Sequence, residues 1–378
     1  MQITRLDVRN LRRLSDISIT PGPGVNWVLG DNGSGKTSLL EAIHLLAYGR
    51  SFRGRVRDGL VRSQCPALEI YAEWQEAVPA SQRRIGLRHS GQQWEGRLDG
   101  QTVSQLGELC AALAVVTFEP GSHALVSGGG EPRRRYLDWG LFHVEPEFLL
   151  LWRRYARALK QRNSLLKQRI RDQQLDGWDH ELAEAGEPIT RLREAYLGRL
   201  QAHLAPLSGE LAPLLGDVAV DFLPGWRREE VSLADALLLA RERDLQAGFT
   251  TLGPHRADWR VRHQAMPNGE ALSRGQAKLT ALACTLAQAE LHAERCGQWP
   301  VVLLDDLASE LDQAHQQRVL RRLETQPTQV FVTGTQPPSA WSITGGETTL
   351  FHVEQTMNAD SAVLAALPVP DGRPPELL

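Results

Sequence analysis

The segment Gly30-Asp31-Asn32-Gly33-Ser34-Gly35-Lys36-Thr37 restricts what this chain can fold into more than any other stretch. Its surroundings match its pattern. Val25 to Leu29 is a short apolar run that reads as a buried strand, and Ser38 to Leu46 has helical apolar spacing. Strand, glycine turn and helix make a loop whose backbone N–H groups turn inward around phosphate oxygens. Glycines keep Cβ atoms out of the way, and the helix N-terminus adds partial positive charge. Lys36 is then placed to neutralise β- and γ-phosphates, and the Thr37 hydroxyl to ligate Mg²⁺. Gly30, Asp31, Asn32, Gly33, Ser34, Gly35 and Ser38 complete the expected site. A glycine-rich turn without a ligand is the simpler alternative, and the flanking strand and helix argue against it. The expected ligand is a nucleoside triphosphate.

A chain of 378 residues allows one large domain or two ordinary ones, and 42% apolar residues suffice for a full core. With 42 Lys+Arg against 45 Asp+Glu, overall charge names no partner, so any basic surface has to be local. Cys65, Cys110, Cys284 and Cys296 are scattered without a Cys-x-x-Cys pair. A zinc site or disulfide framework is therefore not expected, and a reducing compartment fits. Met1 to Leu6 lacks the apolar core of a signal peptide, and no apolar run approaches a membrane span. The expectation is a soluble, cytoplasmic protein with no membrane partner.

Along the chain, Ile3, Leu6, Val8, Ile17 and Ile19 mark a strand-turn-strand entry into the loop. More strand-like pieces lie between Leu68 and Val116, with turns at Ser90-Gly91 and Asp99-Gly100, and Ala114 to Phe118 reads as a buried strand. From Pro146 to Pro206 the sequence is charged and helical. Phe148, Leu151, Tyr155, Leu159 and Leu166 mark one helix. Trp178, Leu182, Ala185, Ile189, Leu192, Tyr196, Leu200 and Leu204 mark a second. A polar turn from Asp172 to Gly177 joins them, which suggests a projecting helical arm; helices packed flat on the main domain are the alternative. Strand-like pieces resume after residue 216, among them Pro300 to Leu304 and Gln329 to Thr333. Residues 368–378 form a proline-rich tail that reads as flexible. The expected fold is α/β: a nucleotide-binding head in two parts (1–138 and 217–367) with a helical insertion (139–216).

Val301-Val302-Leu303-Leu304-Asp305-Asp306 has the form of an apolar strand that delivers an acid beside the phosphate loop. Asp305 is assigned to Mg²⁺ and Asp306 to the attacking water, as general base or water-positioning group. An acid pair at a helix start is the plainer alternative. Ser273-Arg274-Gly275-Gln276 opens another helix and on its own reads as an ordinary capped start.

Together with the phosphate loop and Asp305-Asp306-Leu307-Ala308-Ser309-Glu310-Leu311-Asp312, that tetrapeptide resembles the signature of the ABC-type ATPases. The resemblance implies a split head with a mixed sheet and flanking helices. It also implies ATP with Mg²⁺, and a homodimer that sandwiches two ATPs. Ser273, Arg274, Gly275 and Gln276 of one copy would contact the γ-phosphate held by the other. Three features depart from membrane transporters of that family. The stretch between Lys36 and Ser273 is long, Arg274 stands where transporters usually carry glycine, and no histidine follows the Gln329–Val332 strand, where Thr333 and Thr335 stand instead.

These departures resemble the DNA-repair branch, and within it the RecF family of recombination mediators. The matching segments run nearly end to end. They include Leu6 to Arg12, Gly49-Arg50-Ser51-Phe52-Arg53, Glu131 to Asp138, and Gly253-Pro254-His255-Arg256-Ala257-Asp258. The resemblance implies an ATPase, weak and coupled to DNA, whose ATP-bound dimer clamps duplex DNA near single-strand gaps or junctions. RecO- and RecR-type mediator proteins would be partners in loading recombinase.

Three basic clusters could meet phosphates: Arg50, Arg53, Arg55, Arg57 and Arg62; then Arg133, Arg134 and Arg135; then Lys160, Arg162, Lys167, Arg169 and Arg171. Solvated or ion-paired faces are the alternative, with Glu181, Glu184 and Glu194 as partners for the third cluster. His255 is assigned no role. Two rival functions stay open: a transporter-associated ATPase, and a nucleotide-gated scaffold that acts on proteins alone.

Overall fold

The computed structural model describes residues 1–54, 59–170, 173–266, 271–336, 348–355 and 362–367. Two compact units result, Met1–Ser122 with His292–Leu378, and His123–Leu291. The first begins with β1 (Gln2–Leu11), β2 (Leu14–Ile19) and β3 (Val25–Leu29), then helix α1 (Lys36–Tyr48). β4 (Leu68–Ala77), β5 (Ala80–His89), β6 (Trp94–Leu98) and β7 (Gln101–Val103) follow as an antiparallel meander, then α2 (Leu106–Ala112) and β8 (Val115–Phe118). The Asp99-Gly100 turn behaves as its sequence demands. Leu98 pairs with Gln101, and both turn residues have positive φ, 51° and 85°, which suits the right-handed twist of a two-residue hairpin.

In the second unit come α3 (Ala124–Ser127), α4 (Gly130–Val144), α5 (Phe148–Lys167) and α6 (Gln173–Leu211). They are followed by β9 (Val218–Leu223), α7 (Leu233–Leu239), α8 (Arg241–Ala247), β10 (Asp258–His263) and the start of α9 (Arg274–Cys296). α6 has 39 residues and is about 58 Å long at the usual rise per residue. Its buried residues Leu182, Ala185, Ile189, Tyr196, Leu200, Leu204, Leu207 and Leu211 share one face. Each such leucine stabilises by about 2 kcal/mol, enough to carry the helix through Pro188 and Pro206.

The expected polar turn at 172–177 is corrected, because residues 173–177 already belong to α6. Leu175 is buried with Leu166 and Leu245, and a Cβ on Gly177 would meet open space. Packing at Leu175 therefore overrides the glycine. Compactness also cuts the chain elsewhere than sequence texture does, because α4 and β9 pack on α6 within this unit.

The first unit closes with β11 (Val301–Leu304), α10 (Leu307–Glu310), α11 (Gln313–Glu324), β12 (Val330–Gly334), β13 (Thr348–Gln355) and β14 (Ala362–Leu367). The strand-like pieces read from the sequence end at Gln329 to Thr333, so the last two strands were not anticipated. The tail at 368–378 lies outside the described residues. Among the described residues, the twelve strands of this unit form one mixed sheet in the order β7-β6-β5-β4-β1-β2-β14-β13-β3-β12-β11-β8. β3 lies between β13 and β12, parallel to both, and its five residues are all buried. Near-continuous apolar runs such as Val25–Leu29 and Val301–Leu304 belong to strands covered on both faces. Their parallel carboxyl ends converge on one edge, where ligands of open α/β sheets bind.

Candidate nucleotide-binding site

At that edge the loop Gly30–Gly35 joins β3 to α1. Gly30 has φ +148°, and a Cβ there would fall 2.3 Å from the Val353 carbonyl. Gly35, at φ +117° and ψ 4°, is the N-cap of α1. Neither position admits a side chain without strain. The Ser38 amide bonds back to the Gly35 carbonyl at 2.9 Å, so α1 starts directly behind the loop. Asp31 and Asn32 are exposed, while Ser34, Lys36 and Ser38 are buried.

The Lys36 ammonium donates to the carbonyls of Gly30 at 2.6 Å and Asp31 at 2.7 Å. Burial lowers its pKa, against the pull of Asp306, Asp31 and Asp305. Asp305, at the end of β11, is 3% exposed. Burial and the neighbouring Asp306 charge push its carboxyl above the ordinary range, while hydroxyl donors from Thr333 and Thr37 and the charge of Arg53 oppose them. Asp306 is left-handed, with φ 52° and ψ 42°, and caps the short α10.

Lys36, Thr37, Ser38, Asp306 and Thr333 meet in a cavity of about 770 Å³. Arg12, Arg13, Arg53 and Arg62 also line it, and Asp306 is the one acid on its wall among the described residues. A surplus of cations around a glycine loop suits a polyphosphate. The Thr37 hydroxyl and the Asp305 carboxylate are hard oxygen donors already hydrogen-bonded to each other, a donor set that fits Mg²⁺.

Sequence reasoning missed Arg12 and Arg13 as site residues and gave Arg62 only to a basic cluster, not to this cavity. They arrive through pairing: Leu11 bridges Val61, the Arg12 amide bonds the Leu60 carbonyl at 2.8 Å, and the Arg62 amide bonds Asn10 at 2.8 Å. Arg13 then donates to the Gly33 carbonyl at 3.0 Å. Arg53 is reached through Ser51, whose hydroxyl donates to Glu41 and accepts the Arg53 amide at 2.9 Å. Arg50 is half-buried beside His44 and Cys110 and does not line the cavity. Arg55 and Arg57 lie outside the described residues.

In the second unit, Ser273 begins α9 with a reciprocal cap. Its amide donates to Gln276 Oε1 at 2.9 Å, and the Gln276 amide donates to Ser273 Oγ at 3.3 Å. Ser273, Arg274 and Gly275 are exposed, and a Cβ on Gly275 would meet nothing within 4 Å. No contact among the described residues explains a glycine at that position.

The Arg133–Arg135 cluster is not a basic face. Arg133 is 7% exposed and binds Asp258 at 2.7 and 2.9 Å. Arg134 donates to the Ala257 carbonyl at 2.9 Å, and Arg135 pairs with Glu131. Arg162 is fully buried between Asp179 and Asp244, and Arg171 lies outside the described residues. His255 is structural. Its Nε2 donates to the Thr250 carbonyl at 3.0 Å, and its Nδ1 accepts from Tyr155 at 2.7 Å.

No helix among the described residues is long and apolar enough to cross a membrane. The sequence profile described as "RecF/RecN/SMC N terminal domain" matches residues 2–356. The DNA replication and repair protein RecF of Stenotrophomonas maltophilia is 67% identical over 343 residues, 90% of this chain and 94% of that one. RecF of Thioalkalivibrio sulfidiphilus is 40% identical over 358 residues, 94% and 98% of the two chains. The solved structure of the recombination mediator RecF with ATP, in the RecFOR pathway, superposes with a TM-score of 0.85 at 27% identity, covering 97% of this chain and 98% of its own. An Smc head bound to the C-terminal winged-helix domain of ScpA shares the fold, with a TM-score of 0.59 at 14% identity over 97% and 98%. On its sequence relatives, its profile match and its sheet, this chain belongs to the RecF family of DNA replication and repair proteins.

Proposed function

We propose that this chain is an ATP-driven DNA clamp of recombinational repair. The observation that carries the reading is the meeting of Lys36, Thr37 and Asp306 at one cavity, with Thr37 bonded to Asp305. In this reading the loop amides and Lys36 take the phosphates of ATP. Thr37 and Asp305 would hold Mg²⁺, which would supply positive charge to the bound phosphates. Asp306 orients the attacking water, and Arg53 faces the same phosphates. The exposed start of α9, with Ser273, Arg274, Gly275 and Gln276, docks on the γ-phosphate held by a second copy. Its serine hydroxyl and helix N-terminus favour an anion there. ATP therefore stabilises the dimer, and hydrolysis removes that stabilisation.

The dimer holds duplex DNA near single-strand gaps or junctions through local cations, since net charge supplies no general attraction. Slow hydrolysis releases it. RecO- and RecR-type proteins act with it in the cytoplasm, where the assembly assists recombinase loading. ATP hydrolysis by the purified chain, with and without gapped duplex at low salt, tests the reading. DNA stimulation that Lys36→Ala abolishes, with nucleotide affinity down at least about 100-fold, supports it. Hydrolysis indifferent to DNA rejects the clamp in favour of a scaffold gated by proteins.

A further inference from the structure

We infer that Thr333 is a positioning residue for ATP hydrolysis: one hydroxyl fixes both acids of the site at once. The Thr333 hydroxyl donates to Asp305 Oδ1 at 2.8 Å and accepts the Asp306 amide at 2.7 Å. A hydroxyl has one proton and two lone pairs, so one atom satisfies a buried carboxylate and a part-buried N–H together. The residue is 2% exposed and forms part of the cavity floor.

Topology puts it there. β12 lies between β11 and β3, with Leu304 opposite Val332 on one side and Thr333 opposite Val28 on the other. Thr333 is thus one step beyond the last β11 pairing, beside Asp305, and one step before the row that ends in Leu29 and the phosphate loop. It connects the strand that carries the loop to the strand that carries the acids.

Asp306 needs the connection. Its left-handed backbone, φ 52° and ψ 42°, is one that few non-glycine residues adopt. The amide bond to Thr333 is a specific restraint on that conformation, and it aims the Asp306 side chain into the cavity. Among the described residues, loss of the hydroxyl leaves the amide unpaired and Asp305 with only its Thr37 donor. Phosphate binding does not pass through Thr333, because Lys36 and the loop amides are held by the loop itself. Hydrolysis is therefore sensitive to the Thr333 hydroxyl and ATP affinity is not.

This inference rests on the reading of Asp306 as the water-orienting acid, and the experiment separates the two. Thr333→Val keeps the branched shape without the hydroxyl; Thr333→Ser keeps the hydroxyl. The full chain is assayed for hydrolysis with gapped duplex, for ATP affinity with a fluorescent analogue, and for ATP-driven dimerisation by sedimentation. Thr333→Val is expected to lower kcat by about 10- to 100-fold, with affinity within about threefold of wild type and a longer-lived ATP dimer. Thr333→Ser is expected to recover most of the rate. Asp306→Asn, expected to be inactive, is the reference. A valine variant at full rate beside an inactive Asp306→Asn overturns the inference alone, and so does a serine variant as impaired as valine. Hydrolysis by Asp306→Asn at the wild-type rate overturns the reading of Asp306, and the inference falls with it.

Discussion

Arg12 holds Glu41 by two hydrogen bonds, of 2.5 and 2.7 Å, and the Glu41 side chain is wholly buried within α1. The same carboxylate accepts the Ser51 hydroxyl, which in turn fixes the Arg53 amide. One ion pair thus ties the β1–β2 turn, the helix behind the phosphate loop and the segment carrying Arg53. Removing one partner of a buried pair leaves an uncompensated charge, so Arg12→Ala is expected to destabilise by about 3 kcal/mol. Replacing both groups, as Arg12→Met with Glu41→Leu, is expected to recover most of that loss. Urea midpoints of the three proteins decide. If the single variant is displaced by less than about 0.5 kcal/mol, the pair is not a structural tie.

Ser273→Arg tests the exposed start of α9. The hydroxyl caps Gln276 at 3.3 Å, a long bond, and Gly275 beside it meets open space. Loss of the cap costs about 1 kcal/mol, too little to unfold the chain, while a large cation at the tip fills the space proposed for a second copy's phosphate. ATP affinity of the monomer is expected to stay within about twofold. ATP-driven dimerisation is expected to disappear in sedimentation. A normal ATP dimer in this variant would rule out the sandwich.

The burial of His255 predicts acid sensitivity. Its pKa is lowered from 6.5 to about 4, first by burial and then by Arg256 and Arg134, against the Thr250 hydrogen bond and Asp244. The folded state thus favours neutral imidazole more than the unfolded state does. Its contribution is fully present above pH 6.5, falls as pH drops from 6.5 toward 4, and levels off below. The largest loss from this site is about 3 kcal/mol. His44, lowered to about 3, and His292, lowered to about 4, act in the same direction. His255→Gln is therefore expected to flatten the pH dependence of unfolding free energy between 6.5 and 4 without abolishing it. An unchanged slope in denaturant titrations would show that His255 is solvated in the fold.

The strand-loop-helix placement of Gly30 to Thr37 was legible because its pattern is local: eight consecutive residues carry the glycines, the lysine and the hydroxyl. The position of Asp305 and Asp306 was legible because a short apolar run announces a covered strand. Thr333 was visible only as a place where histidine is missing; its bonds to both acids depend on the β11–β12 register, which no periodicity reports. Arg12 and Arg13 depend on the pairing of Leu11 with Val61, fifty residues apart in sequence. Arg133 misled for a related reason. Three adjacent arginines resemble a phosphate patch, and only the fold shows Asp258 closing on the first of them.

Arg133 and the exposed cations of α5 therefore give opposite predictions for DNA. Arg153, Arg157, Lys160 and Lys167 are exposed and recur at helical spacing along one face. None of the four has an acid within ion-pair distance among the described residues, although Arg157 lies in the field of Glu181, which Arg154 already engages. Such cations can release counterions from a phosphate backbone. Arg157→Ala with Lys160→Ala is expected to weaken binding of gapped duplex and to lower the slope of log affinity against log salt by about one for each phosphate no longer neutralised. Unfolding is expected to change by less than about 1 kcal/mol, as for other exposed positions. Arg133→Ala strips the partner from a carboxylate whose pKa, despite burial, is held below its ordinary value by Arg133. It is expected to destabilise the fold by about 3 kcal/mol and to leave the salt slope unchanged in whatever folded protein remains. A salt slope that falls in Arg133→Ala but not in the α5 variant would move the DNA-binding surface to the 133–135 segment.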